Sequence, residues 1–157
     1  MDVGKIKIVD GDLLDQKTDA IVNPWNLNRI PWWLLLPSGV SGAIKNRAGT
    51  EPFKEVARFG PIPLGEVVVT TAGKLPYRCI IHVASINLFW KASEQSIRMS
   101  VKNAISAAEE HNVKSLAFPV LGAGAGGFKP DQAEKLMIET LKKIESKVEV
   151  TLVRYKH

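Results

Sequence analysis

Leu116-Ala117-Phe118-Pro119-Val120-Leu121-Gly122-Ala123-Gly124-Ala125-Gly126-Gly127-Phe128-Lys129-Pro130-Asp131 is the stretch on which the fold turns. It opens with an apolar run, Leu116 to Phe118, of the length expected for a strand covered on both faces. It closes on Pro130, with Asp131 and Glu134 just beyond. Proline at a first helical position gives up an N–H that would have no partner anyway, and acids in the first turn face the positive end of the helix dipole. Four glycines lie in the six residues between Gly122 and Gly127. A strand, a glycine-dense turn and a helix in succession make an anion site by construction, because a backbone without Cβ atoms comes close to a diphosphate and free amides at the helix start point at it. The same glycines also suit a tight reversal needing positive φ. The residues alone leave both readings open.

Outward from that turn, the pattern repeats. Ala20 to Val22, Val67 to Val69 and Cys79 to Val83 are further continuous apolar runs, while Lys5 to Val9 and Val148 to Tyr155 alternate apolar and polar as half-buried strands do. Helical spacing appears in Val40, Ala43, Ile44 and Ala48, with Gly49 past the end; in Ile97, Val101, Ala104, Ile105 and Ala108; and in Ala133, Leu136, Met137, Leu141 and Ile144. Ser38 and Ser93 are candidate N-caps and Asn112 a candidate stop. Strands interleaved with helices predict an α/β sandwich of layers, and residues 1–157 form a single domain with no repeat or linker. The 157 residues, 45% hydrophobic and 24% charged, exclude a disordered tail, a collagen and a coiled-coil rod. The longest apolar stretch, Ile30 to Leu36, falls far short of the roughly 20 residues that span a bilayer, and no leader pattern opens the chain. A single cysteine, Cys79, fits a reducing compartment, so a cytoplasmic protein is expected.

Several chemistries lose their support. His82, His111 and His157 stand far apart and Cys79 falls within a strand pattern, so no metal site is predicted and Cys79 reads as a small buried hydrophobe. Neither a Gly-x-Ser-x-Gly elbow nor a Gly-x-x-x-x-Gly-Lys loop occurs. The net charge of +5 has its largest excess in residues 31–128, ten basic against six acidic, yet without a cluster. A nucleic-acid-binding module using that segment is one rival reading. Another is an NAD-dependent enzyme, because Gly122, Gly124 and Gly127 satisfy Gly-x-Gly-x-x-Gly; that fingerprint, however, wants an acid at the end of the next strand.

A second strand-loop-helix turn runs from Ala20-Ile21-Val22-Asn23-Pro24-Trp25-Asn26 to Ser38-Gly39-Val40-Ser41-Gly42. Two such turns could grip one diphosphate from opposite sides. Together with Gly11-Asp12-Leu13, Gly65-Glu66-Val67-Val68-Val69-Thr70, Ile80-Ile81-His82 and Phe118-Pro119-Val120-Leu121-Gly122-Ala123-Gly124, in this order, the chain resembles the macro domains over about residues 6–155. These are modules that bind ADP-ribose and in many members hydrolyse ADP-ribosyl bonds. The resemblance implies a three-layer α/β/α sandwich with a mixed central sheet, and ADP-ribose or an ADP-ribosylated macromolecule as partner with no cofactor. It implies that Asp12 hydrogen-bonds the adenine amino group beside the Leu13 amide, and that Tyr155 stacks on adenine; read alone, Tyr155 is an edge-strand tyrosine. It assigns Ser38, Gly39 and Val40 to a first phosphate loop and Gly122, Ala123, Gly124, Ala125 and Gly126, with Phe128, to a second. It gives Asn26 the distal ribose and the positioning of water, the one catalytic assignment.

The chain departs from the family pattern in places that bear on activity. Pro24 and Trp25 replace two alanines, and Leu36-Pro37-Ser38-Gly39 replaces a glycine run after an insertion. Ser41 stands where one hydrolytic branch carries an aspartate, and serine is no general base at neutral pH without an activating partner. Gly126 stands where many members place an aromatic over the distal ribose. Residues 25–36 hold three of the four tryptophans, which suit a lid on the core, a wall of the ligand pocket or a partner surface.

Overall fold

Ala20, Ile21 and Val22 are all fully buried, yet they belong to two different cores, Ala20 and Val22 to one and Ile21 to the other. Successive side chains of a strand point to opposite faces, so a strand buried at every position has a packed layer on each side. The computed structural model, which describes residues 6–26, 39–60, 62–86, 93–121 and 128–155, has one sheet between two such layers. Its strands are β1 (Ile6–Gly11), β2 (Ala20–Asn26), β3 (Val67–Thr70), β4 (Cys79–Ile86), β5 (Ser115–Pro119) and β6 (Glu149–Tyr155), in the order β1-β6-β5-β2-β4-β3. Every neighbouring pair is parallel except β3 with β4. The sheet is mixed, as the resemblance implied.

Helices α1 (Gly39–Ala48) and α2 (Glu51–Arg58) cover one face, through Ile44, Ala48, Phe53 and Val56. Helices α3 (Glu94–Glu110) and α4 (Pro130–Lys142) cover the other, through Ile97, Val101, Ile105, Leu136, Met137 and Leu141. Three of these four helices stand where spacing predicted them. Ser93 caps α3 in a reciprocal box with Ser96, Asn112 stops the chain with φ 57° just past it, Gly49 follows α1 with φ 87°, and Pro130 opens α4. The candidate cap Ser38 lies outside the described residues.

Three expectations need correction. The short helix α2 was not expected; its signal, Phe53 and Val56 one turn apart behind Pro52, is only eight residues long. Val67 to Val69 is half-buried rather than a buried run, because β3 is an edge strand. Tyr155 is no edge-strand residue, since β6 lies between β1 and β5. The edge on that side is β1, where Ile8 remains 40% exposed.

Candidate functional site

Parallel strands end on the same side of a sheet, so β1, β6, β5, β2 and β4 all deliver their C-terminal ends to one rim. Adjacent strands whose chains depart to opposite faces leave a crevice between the departing loops, the usual ligand position in open α/β sheets. Strands β2 and β5 form such a pair. They are hydrogen-bonded neighbours, Ala20 beside Leu116 and Ile21 beside Ala117. Beyond β2 the next helix is α1 on one face; beyond β5 it is α4 on the other.

Both predicted phosphate loops belong to these two departures. Gly39 and Val40 form the start of α1, where orphan N–H groups and the helix dipole favour an anion. Ser38, Gly122, Ala123, Gly124, Ala125 and Gly126 lie outside the described residues. The residues on either side of 122–127 pack into the α3/α4-side core. Leu121 is fully buried with its amide 3.2 Å from the Met137 sulfur of α4, and Phe128 is half-buried against the core on the α3/α4 face. Asn26 ends β2 at a register irregularity, where its partner shifts from the Ala84 that pairs with Trp25 to Ile86. An extra residue in one strand re-aims the chain locally.

At the far end of the rim, Gly11 of β1 pairs with Tyr155 of β6. The residue after Gly11 is Asp12, so the two positions assigned to adenine are brought side by side from opposite ends of the sequence. Asp12 is half-buried and caps a 3-10 turn, Leu13–Asp15, its Oδ1 accepting from the Leu14 amide at 2.9 Å. Leu13 and Leu14 are buried beneath it. The Gln16 side chain donates to the Asp12 carbonyl at 2.9 Å, closing the turn.

Two groups that sequence reasoning left without a role hold this rim from below. His82 is fully buried on β4, with its Nδ1 2.9 Å from Asn23 Nδ2 on β2 and its Nε2 2.8 Å from Thr70 Oγ1 on β3. Thr70 donates its hydroxyl hydrogen to the Thr71 carbonyl, so the ring donates from Nε2 and accepts at Nδ1. Burial pushes the His82 pKa down to about 3, and it stands neutral, its ring edge against Phe53 of α2. Tyr77, also buried, donates to the Gln16 carbonyl at 2.8 Å. A pattern of Ile80-Ile81-His82 shows the histidine but not its partners. Cys79 is buried in the α3/α4-side core, which raises its pKa, and no group of three or more His, Cys, Asp or Glu gathers into a possible metal site among the described residues.

The Macro domain family profile matches residues 22–137. An uncharacterized protein of Aquifex aeolicus is 34% identical over 90% of this chain and 84% of its own length. One from Mycobacterium tuberculosis is 33% identical over 88% of this chain, which spans only 37% of that relative. Among solved structures, the Oceanobacillus iheyensis macrodomain with ADP superposes with a TM-score of 0.79 at 25% identity, covering 94% of this chain and 81% of that one. A mutant of that macrodomain with ADPR gives 0.77 at 27% identity, over 94% and 83%.

Proposed function

The chain belongs to the macro domain family, and on that premise we propose that its strand-end crevice binds ADP-ribose, free or attached to a macromolecule. What supports this most is the pairing of Gly11 with Tyr155, three strand positions from β2. At about 4.8 Å per strand, the Asp12 turn stands roughly 14 Å along the rim from the end of β2. That spacing suits an adenosine at β1 and β6, a diphosphate over the β5/β2 crevice and a second ribose beside Asn26. A mononucleotide would leave one end of the rim empty. The ADP and ADPR bound by the Oceanobacillus macrodomain are of this ligand class.

Asp12 offers the second oxygen of its carboxylate to the adenine amino group, with the Leu13 amide alongside, and Tyr155 supplies the stacking face. Backbone amides of Gly39, Val40 and the 122–126 turn take the diphosphate. Asn26 can both donate to and accept from the distal ribose. Hydrolysis of an ADP-ribosyl bond at this site is slow and leans on Asn26, since Ser41 brings no charge to draw a proton from water. The NAD-dependent alternative has little to stand on: the strand after the glycine turn, β6, ends on Arg154 and Tyr155, and Arg154 is paired with Glu134 of α4.

Calorimetric titration with ADP-ribose, AMP, NAD and a short oligonucleotide tests the binding. ADP-ribose is expected to bind most tightly, and a response to the oligonucleotide alone refutes the reading. For turnover, Asn26→Ala should remove most release of ADP-ribose from modified protein or nucleic acid while Ser41→Ala leaves it nearly intact; the reverse pattern overturns the roles given to these two residues.

A further inference from the structure

Tyr77 sits in the connection 71–78 between β3 and β4, remote in sequence from every residue assigned to ligand. That connection is pinned in its middle and at its far end. The Lys74 amide donates to the Ala48 carbonyl at the end of α1 at 2.9 Å, and the Arg78 amide to the Asp19 carbonyl at 2.8 Å. Gly73, with φ 58°, runs so close to α1 that a Cβ there would stand 2.2 Å from the Ala48 oxygen. Leu75 and Tyr77 bury their side chains in the same core as Leu13 and Leu14.

From this fixed base the Tyr77 hydroxyl reaches the turn that carries Asp12. It donates to the Gln16 carbonyl at 2.8 Å and lies 3.4 Å from the Leu13 carbonyl. Gln16 Nε2 in turn holds the Asp12 carbonyl, and the Leu14 amide fixes Asp12 Oδ1. Hydrogen bonds from a buried phenol, a glutamine side chain and a backbone amide therefore tie down the turn that carries the Asp12 carboxylate, the last of them on its Oδ1. Burial raises the phenol pKa, so it stays a donor throughout the neutral range.

We propose that Tyr77 is a positioning residue for base selectivity, its hydroxyl holding the 12–16 turn so that the Asp12 carboxylate meets the amino group of adenine. The role rests on the ADP-ribose reading above. A hydroxyl aimed at two backbone carbonyls of a five-residue turn, from a side chain otherwise buried in an apolar core, has no other hydrogen-bond partner among the described residues. Tyr77→Phe keeps the ring and its packing and removes only that hydroxyl.

The measurement is the ratio of two affinities, for ADP-ribose and for its analogue with hypoxanthine in place of adenine, which lacks the amino group. The parent chain should prefer the adenine ligand, and Asp12→Ala should set the ratio found when the preference is lost. Tyr77→Phe should narrow the parent's preference by about threefold to tenfold, the worth of one ordinary hydrogen bond. Gln16→Ala loosens the same turn from its other side and should narrow the ratio too, which keeps the test open if the phenylalanine variant fails to fold. A Tyr77 that merely fills the core would lower both affinities by one common factor; an unchanged ratio in folded variants overturns the proposal alone. A parent that binds ADP-ribose yet ignores the amino group also overturns it, and a parent that binds no ADP-ribose overturns the functional reading along with it.

Discussion

His82 shows what a single buried side chain does for the rim. Its ring joins β2, β4 and β3 through Asn23 and Thr70, and only the neutral form fits, because a proton on Nδ1 would face the Asn23 amide donor. The folded pKa lies near 3, below the ordinary 6.5, so between these values the unfolded chain holds a proton that the folded one refuses. Stability from this residue is therefore complete above about pH 6.5 and declines as the pH falls towards 3, by up to about 1.4 kcal/mol per pH unit. Urea unfolding from about pH 7 down to 5, above the range where carboxylates titrate, should show that slope in the parent. The His82→Leu variant should be less stable at neutral pH, with the Asn23 amide and the Thr70 hydroxyl oxygen deprived of the ring, and should lack the slope; an equally steep decline in the variant would assign it to other groups.

At the level of elements, α3 depends on a cap that is local and reciprocal. The Ser93 hydroxyl accepts from the Ser96 amide at 2.9 Å, and the Ser96 hydroxyl accepts from the Ser93 amide at the same distance. Ser93→Ala should cost about 1 kcal/mol in chemical denaturation. Features of this local kind were readable in the chain itself: the Ser93 cap, Pro130 at the head of α4, Gly49 after α1, and the continuous runs of β2, β4 and β5. What could not be read are the features made by distant partners. Strand order is one, so Tyr155 moved from a presumed edge to a central strand. The short α2 is another, since eight residues leave little room for a period to declare itself. Asn23 and His82 are 59 residues apart, and Tyr77 and Gln16 are 61 apart, so nothing in their local spacing announces either contact. The ligand residues were assigned through the resemblance to a family rather than through periodicity, and the pairing of β1 with β6 is what brings the positions of Asp12 and Tyr155 side by side.

For the molecule as a whole, the net charge of +5 and a sequence pI near 9.4 invite a nucleic-acid reading. The two readings differ in salt dependence. One diphosphate held by backbone amides releases few counterions, so ADP-ribose affinity should fall by less than about tenfold between roughly 50 and 200 mM salt. A protein neutralising 6 to 10 nucleic-acid phosphates loses about a thousandfold or more over the same range. Titrations at several ionic strengths decide between them, and a steep slope for an oligonucleotide with no response to ADP-ribose would favour the nucleic-acid module. The pairing at the sheet's far side also has a temporal meaning. Among the described residues β1 pairs with β6 alone, so residues 6–11 wait unpaired until residues 149–155 have left the ribosome. Residues 20–119 can begin assembling β2, β4 and β5 while the Asp12 turn is still without its floor. On the ADP-ribose reading, a nascent chain of this domain gains the adenine end of its site only after residue 155 has emerged, and any break that frees residues 149–155 takes it away again.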